Sequence, residues 1–157
     1  MSPDYGFSFA HHSYANAKDF LKYGILQGEG FVAVTGSAGT GKTTLINQLM
    51  AEIDTKHITV AKLITVQLDP SNFLKIVAQA FGLCMTGGGE ERPLLQLEQF
   101  LLQQDKRGRR TVLIVDEAQG LSPHSLEELR LLSNIQSDNR LLLHIILVGQ
   151  EPLMEMI

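Results

Sequence analysis

The chain has 157 residues, of which 44% are hydrophobic and 19% charged, values typical of a globular domain with a real core. Its formal net charge of −4 at pH 7 argues against general nucleic-acid binding, although a local basic patch is compatible with it. The single cysteine, Cys84, excludes an intramolecular disulfide, and no apolar run approaches the roughly 20 residues of a membrane span. The first residues do not resemble a signal peptide, so we expect a cytoplasmic location.

Residues 1–12 mix aromatic side chains with turn-forming residues. Two interpretations stay open: Phe7 and Phe9 fix this segment to the core, or part of it lines a pocket for a flat base such as adenine. Ser13 is a suitable cap for a helix over about residues 14–27, which the Gly-rich residues 28–30 end.

The next stretch carries the first chemical signal. Residues 31–34 are apolar and predict a buried strand, and residues 44–50 have the pattern of a helix. Between them, residues 36–43 have the G-x-x-x-x-G-K-[ST] spacing of a P-loop. The glycines let consecutive N–H groups turn toward an anion, and the helix that begins near Lys42 adds the positive end of its dipole.

This loop predicts a nucleotide site with ATP and Mg²⁺ as cofactors. We expect Lys42 to reach the β- and γ-phosphates, where it contributes to catalysis, and the Thr43 hydroxyl to ligate Mg²⁺. The expected nucleotide-binding residues are Gly36, Ser37, Ala38, Gly39, Thr40, Gly41, Lys42, Thr43 and Thr44.

A second strand is predicted over residues 58–66, which are rich in β-branched side chains. Asp69 and Pro70 then predict the start of a helix that Gly82 ends, and residues 85–91 read as a loop. Pro93 begins a further helix, for which we expect one apolar side formed by Leu94, Leu97 and Leu101.

A basic cluster follows this helix. Cations at the C-terminal end of a helix are favoured by its dipole, and this alone would explain the cluster. The same cations are also suited to binding nucleic-acid phosphates. The cluster comprises Lys106, Arg107, Arg109 and Arg110.

Residues 111–117 carry the second chemical signal, an apolar strand that ends in two carboxylates. Continuous apolar runs are typical of a central parallel strand. Such a strand is expected beside the P-loop strand, with Asp116 holding the Mg²⁺ and Glu117 orienting and deprotonating the attacking water.

Ser122 and Pro123 predict another helix, and residues 141–148 predict a fourth strand. Gln150 follows that strand directly. A polar side chain at this tip is a candidate for contacting the γ-phosphate or the attacking water, and an ordinary loop glutamine is the alternative.

Four blocks of sequence together resemble the ExeA-like AAA+ ATPases, a family that serves bacterial secretion and envelope biogenesis. These blocks are residues 36–43, 115–119, 126–134 and 147–150. Residues 65–69 and 80–83 look most like the branch associated with exosortase and exopolysaccharide export.

The resemblance implies an AAA+ P-loop fold with a parallel sheet of order 5-1-4-3-2 flanked by helices. It also implies a homo-oligomeric ring with ATP between subunits, and partners in an export apparatus at the inner membrane. In this family Lys42 and Thr43 would belong to the Walker A motif, Asp116 and Glu117 to the Walker B motif, and Gln150 would be sensor 1.

The sequence departs from the family pattern at Gly120, where the family often has Asn. The chain is also predicted to be a single ATPase core, residues 1–157, that is truncated at both ends. The fifth strand, the arginine finger and the lid with sensor 2 are expected beyond residue 157, so the fragment could bind nucleotide and hydrolyse it poorly. Related ATPases serve DNA transposition, which gives an alternative function for the basic cluster. A GTPase is disfavoured because the Asn-Lys-x-Asp guanine motif is lacking, and a small-molecule kinase is disfavoured because the Asp116-Glu117 pair suits a water nucleophile better than a substrate hydroxyl.

Overall fold

The computed structural model describes residues 30–36, 41–65, 70–85 and 92–150, together with the backbone of residues 5–8. The strands are β1 (Tyr5–Ser8), β2 (Phe31–Thr35), β3 (Ile58–Ile64), β4 (Arg110–Asp116), β5 (Gln136–Ser137), β6 (Arg140–Leu141) and β7 (Leu143–Gly149). The helices are α1 (Lys42–Glu52), α2 (Phe73–Ala80), α3 (Pro93–Lys106) and α4 (Pro123–Ser133). The helix expected over residues 14–27, most of the loop expected over 85–91 and P-loop residues 37–40 lie outside the described residues.

Five of the strands form one sheet in the order β1-β2-β7-β4-β3, and every neighbouring pair in it is parallel. The four strands β2, β7, β4 and β3 reproduce the 1-4-3-2 part of the order that the family resemblance implies. The predicted α/β class with a helix-flanked parallel sheet is therefore confirmed.

The expectation that β4 lies directly beside the P-loop strand β2 is wrong, because β7 lies between them and pairs with both. An apolar run indicates that a strand is central but carries no information about which other strand it pairs with. Both neighbours of β7 are themselves continuous apolar strands, so their sequences do not distinguish the two arrangements.

The edge position beside β2 is occupied by β1, whose residues pair in register from Tyr5 with Val32 to Ser8 with Thr35. The family resemblance assigns this position to a fifth strand from beyond residue 157. In this chain a segment near the N-terminus forms the strand, which is a difference from that expectation.

Side chains alternate between two buried faces of the sheet, which explains the predominantly apolar sequences of β2, β4 and β7. On one face Val32, Val34 and their neighbours pack against α1 through Leu45, Ile46 and Leu49. On the other face the alternate residues pack against α2, α3 and α4, with Phe73, Leu97 and Leu129 fully buried.

Two helices depart from the prediction in detail. A short 3₁₀ turn, Pro70–Asn72, precedes α2, so the helix starts at Phe73 rather than directly after Asp69 and Pro70. On α3, Leu97 and Leu101 are buried as expected, but Leu94, in the first turn of the helix, is 40% exposed.

The strand predicted over residues 141–148 is split in the structure. Strands β5 and β6 form a small antiparallel hairpin, and the central strand β7 starts only at Leu143. Asp138 and Asn139 form the turn with φ values of 52° and 62°. Both residue types tolerate this left-handed conformation, which is typical of a tight hairpin turn.

Candidate functional site

Three strands bring the predicted site residues to one edge of the sheet. Thr35 at the end of β2 pairs with Gly149 at the end of β7, and the Gly36 N–H donates to the Gly149 carbonyl at 3.2 Å. Val115 of β4 pairs with Leu147 of β7, so the end of β4 lies within one residue of the end of β7 along the strand direction. Neighbouring strands lie about 4.8 Å apart, so the tips of β2 and β4 are roughly 10 Å apart across β7.

Helix α1 starts at this edge. Gly41 precedes it with φ +92°, a conformation that favours glycine, and its carbonyl accepts the first helical hydrogen bond, from Leu45 N–H at 2.9 Å. The Lys42 Nζ donates to the Gly36 carbonyl at 2.7 Å, so the ammonium lies against the end of β2. Thr43 and Thr44, in the first turn, are exposed.

Asp116 and Glu117 have different surroundings at the tip of β4. The Asp116 carboxylate is only 8% exposed and its Oδ1 accepts the Glu117 N–H at 2.9 Å. Glu117 is exposed and has a φ of 54°, which is uncommon for a residue with a side chain. Its carbonyl accepts from the Thr65 hydroxyl and, at 3.0 Å, from the Gly120 N–H. The backbone of Glu117 is thus held from three directions.

Gly120, which departs from the family pattern, lies close to Thr65. A Cβ at this position would be 3.1 Å from Thr65 Oγ1, the same hydroxyl that donates to Glu117. The glycine therefore allows Thr65 to approach the tip of β4.

Gln119 is a residue whose individual role the sequence reasoning missed. Its Nε2 donates to Glu117 Oε2 at 2.7 Å, and its Oε1 accepts the backbone N–H of Gln150 at 3.0 Å. The sequence placed Gln119 only within the block of residues 115–119; a polar residue two positions after the acidic pair was the available signal. The exposed Gln150 is linked to this edge through its backbone.

The donor set fits a magnesium-bound nucleotide. A nearly buried carboxylate at Asp116 and an exposed hydroxyl at Thr43 offer the hard oxygen atoms that Mg²⁺ prefers. Among the described residues no group of three or more His, Cys, Asp or Glu side chains could hold a metal. Mg²⁺ characteristically needs only one or two carboxylates because substrate phosphates and water complete its shell.

The basic cluster after α3 is in part structural. The Arg109 guanidinium donates to the carbonyls of Thr55 and Lys56 at 2.8 and 2.7 Å, and its Nε donates to the Thr59 hydroxyl at 2.8 Å. Arg109 therefore ties α3 to the turn before β3, and its donors are directed at protein groups. Lys106 and Arg107 are exposed.

A parallel sheet of this order, with a helix leading away from the glycine-rich loop on β2, defines a P-loop fold of the AAA+ type. The chain belongs to the AAA domain family, whose model matches residues 25–157. The resemblance to the ExeA-like AAA+ ATPases is confirmed by similarity to General secretion pathway protein A of Aeromonas hydrophila. The two are 34% identical over 158 residues, which cover 100% of this chain and 29% of that protein.

Solved structures support the fold. The structure of the ORC2 protein of Aeropyrum pernix, in its ADPNP–ADP complexes, matches this chain with a TM-score of 0.63 at 17% sequence identity. The match covers 88% of this chain and 40% of the ORC2 chain. CDC6P of Pyrobaculum aerophilum has a TM-score of 0.59 at 17% identity and covers 76% of this chain and 32% of its own. In the part of the chain that the structure describes, none of the helices has the length and hydropathy needed to span a membrane.

Proposed function

We propose that this chain binds ATP with Mg²⁺ and hydrolyses it at the edge where β2, β7 and β4 end. The observation that carries the proposal is the convergence of the Lys42 ammonium, the Asp116–Glu117 pair and the Gly149–Gln150 tip at one edge of the sheet. The neighbour described in ADPNP–ADP complexes supports a nucleotide as the ligand.

Each of these residues then has a role that follows from its chemistry. The backbone N–H groups of residues 36–44 and the Lys42 ammonium bind the phosphates. Thr43 and Asp116 hold the Mg²⁺, whose positive charge offsets that of the phosphates. Glu117 orients the attacking water and accepts its proton, which an exposed carboxylate at the mouth of the site can do. Gln150 contacts the γ-phosphate or that water.

Further, we infer a homo-oligomeric ring that energises or regulates a secretion or envelope polysaccharide export apparatus at the cytoplasmic side of the inner membrane. The name of the Aeromonas relative, General secretion pathway protein A, supports the secretion role, and this chain spans 29% of that protein. Export of exopolysaccharide rests on the sequence blocks at residues 65–69 and 80–83.

The catalytic assignment is tested with the Glu117→Gln and Lys42→Ala variants of the intact protein. Glu117→Gln should keep ATP affinity within about twofold and lose turnover by at least about 100-fold, because the amide cannot accept the proton. Lys42→Ala should lose ATP affinity. Glu127→Gln, an exposed carboxylate on α4, is the matched control and should change neither quantity. Parental turnover in Glu117→Gln refutes the base assignment.

The ring is tested by measuring ATPase activity per subunit against protein concentration, which should rise cooperatively if neighbouring subunits complete the site. A flat dependence contradicts an interface-built site. The alternative of DNA binding predicts affinity for duplex DNA that falls steeply with salt. Arg109 counts against this alternative because its donors are directed at Thr55, Lys56 and Thr59.

A further inference from the structure

Gln119 joins two residues of the proposed catalytic edge that are 33 positions apart in sequence. Its side-chain amide donates to the Glu117 carboxylate at 2.7 Å and accepts from the Gln150 backbone N–H at 3.0 Å. Gln119 itself is half-buried, whereas the two residues it joins are exposed. The amide is therefore a bridge between the tips of β4 and β7.

The chemistry of the two partners fixes the orientation of this amide. A backbone N–H can only donate, and an ionised carboxylate can only accept. The carbonyl of Gln119 must then face Gln150 and its NH₂ group must face Glu117. A primary amide satisfies both partners at once, whereas a carboxylate at position 119 has no proton to donate and an alkyl side chain satisfies neither.

The backbone of Glu117 is already held, so the bridge acts on the one part that remains free. Asp116, Thr65 and Gly120 bond the N–H and carbonyl of Glu117. The exposed Glu117 side chain can adopt several rotamers. Among the described residues, the Gln119 amide is the group that hydrogen-bonds to its carboxylate. Loss of that bond releases the carboxylate to other rotamers while the β4 tip stays in place.

We propose that Gln119 is a positioning residue that holds the Glu117 carboxylate at the place where the attacking water is activated, and that links it to the tip of β7. This proposal rests on the proposed function of Glu117 as the catalytic base. It assigns no contact between Gln119 and nucleotide. Its effect should therefore fall on the rate of the chemical step and leave ATP affinity unchanged.

The test compares Gln119→Leu and Gln119→Glu in the intact protein with Gln99→Glu, which makes the same charge change at an exposed position of α3. Both variants at position 119 should lower kcat about 10- to 100-fold, since misplacing a catalytic group by an ångström costs about that much. Their KM for ATP should stay within about twofold, and their melting temperatures should match the parent. Gln99→Glu should keep the parental kcat.

A double-mutant cycle distinguishes positioning from an independent effect. If Gln119 acts through Glu117, then Gln119→Leu should have no further effect on residual turnover in the Glu117→Gln background. Full additivity overturns the proposal, as does an unchanged kcat in the single variants. A loss of kcat that comes with an equal loss of ATP affinity and a lowered melting temperature indicates a merely structural role and overturns it too.

The bridge can also be tested without turnover, which separates its failure from that of the proposed function. In protein labelled with ¹⁵N in glutamine side chains, the Gln119 amide signal should lie outside the free-glutamine range and move toward it in Glu117→Ala. If the intact protein neither binds nor hydrolyses ATP, the proposed function fails and this signal decides whether the bridge exists. An amide signal that is insensitive to Glu117→Ala overturns the bridge.

Discussion

Arg109→Ala should destabilise the fold through loss of a hydrogen-bonded junction rather than through loss of charge. The guanidinium donates to the carbonyls of Thr55 and Lys56 and to the Thr59 hydroxyl, all at 2.7–2.8 Å. Thr59 in turn donates to the Oε1 of the buried Gln104 on α3 at 2.8 Å. One side chain thus joins the end of α3 to the start of β3.

The magnitude follows from the three short bonds. A net contribution of about 1 kcal/mol for each gives about 3 kcal/mol, and hydration of the released carbonyls in the exposed turn reduces this to about 2–3 kcal/mol. For a chain of this size, about 1 kcal/mol corresponds to about 2–4 °C in melting temperature, so we expect a decrease of about 5–10 °C. A lysine at 109 has one ammonium in place of the planar fork and should restore less than half of the loss.

The assay is urea unfolding followed by circular dichroism, with Arg107→Ala as the matched control. Arg107 is the exposed neighbour in the same basic cluster, and its replacement should change the free energy of unfolding by about 0.5 kcal/mol or less. If Arg109→Ala is no more destabilising than Arg107→Ala, the junction does not stabilise the fold. The cluster would then be a solvated surface available to other ligands.

Three further predictions concern local structure. Ser122→Ala should cost about 1 kcal/mol in unfolding free energy, because the Ser122 hydroxyl accepts the Ser125 N–H at 3.0 Å as the cap of α4; an unchanged urea midpoint contradicts this role. Gly108→Ala should cost about 1–2 kcal/mol, because φ is +72° there with open space for a Cβ, and Gly108→Asn should cost less in the same unfolding assay. The hydrogen bond from His57 holds the pKa of Asp54 below its ordinary value. The ionised Asp54 carboxylate therefore stabilises the fold fully above its ordinary pKa, and this contribution is lost as the pH falls through the lowered pKa. An NMR titration of the Asp54 carboxyl should show this low midpoint, and it should rise in His57→Ala; equal midpoints refute the pairing.

The strands and helices were predictable where hydrophobic periodicity is strong. The apolar runs of β2, β4 and the body of β7 and the Pro-initiated helices α3 and α4 occur where local pattern placed them. The hairpin before β7 was missed because its strands have two residues each, too few for an alternation to be recognised. Its turn residues Asp138 and Asn139 were the remaining signal, and Asn–Gly or Asp–Gly is the stronger form of it.

The order of the strands could not be predicted from their residues alone. β2, β4 and β7 are all buried and predominantly apolar strands, and interchanging neighbours would bury the same side chains. The order implied by the family resemblance is correct for β2, β7, β4 and β3, whereas the expectation that β4 lies beside β2 is wrong. Pairing between strands is a long-range property, since β2 and β7 lie more than 100 residues apart in sequence.

The same distinction explains why the sequence predicts the chemical groups of the candidate site but not the residues that support them. Lys42, Asp116 and Glu117 are identified by short motifs because their chemistry requires fixed local spacing. Thr65 and Gln150 reach the β4 tip only because β3 and β7 end beside it. In sequence, Thr65 lies 52 residues from its partner Glu117, and Gln150 lies 31 residues from its partner Gln119. A parallel sheet gathers all carboxyl ends at one edge, so each strand can contribute a supporting group that no local motif contains. The sheet therefore supplies the groups that hold the candidate site residues. Under the proposed function, substitutions at such supporting positions should lower turnover before they alter nucleotide affinity.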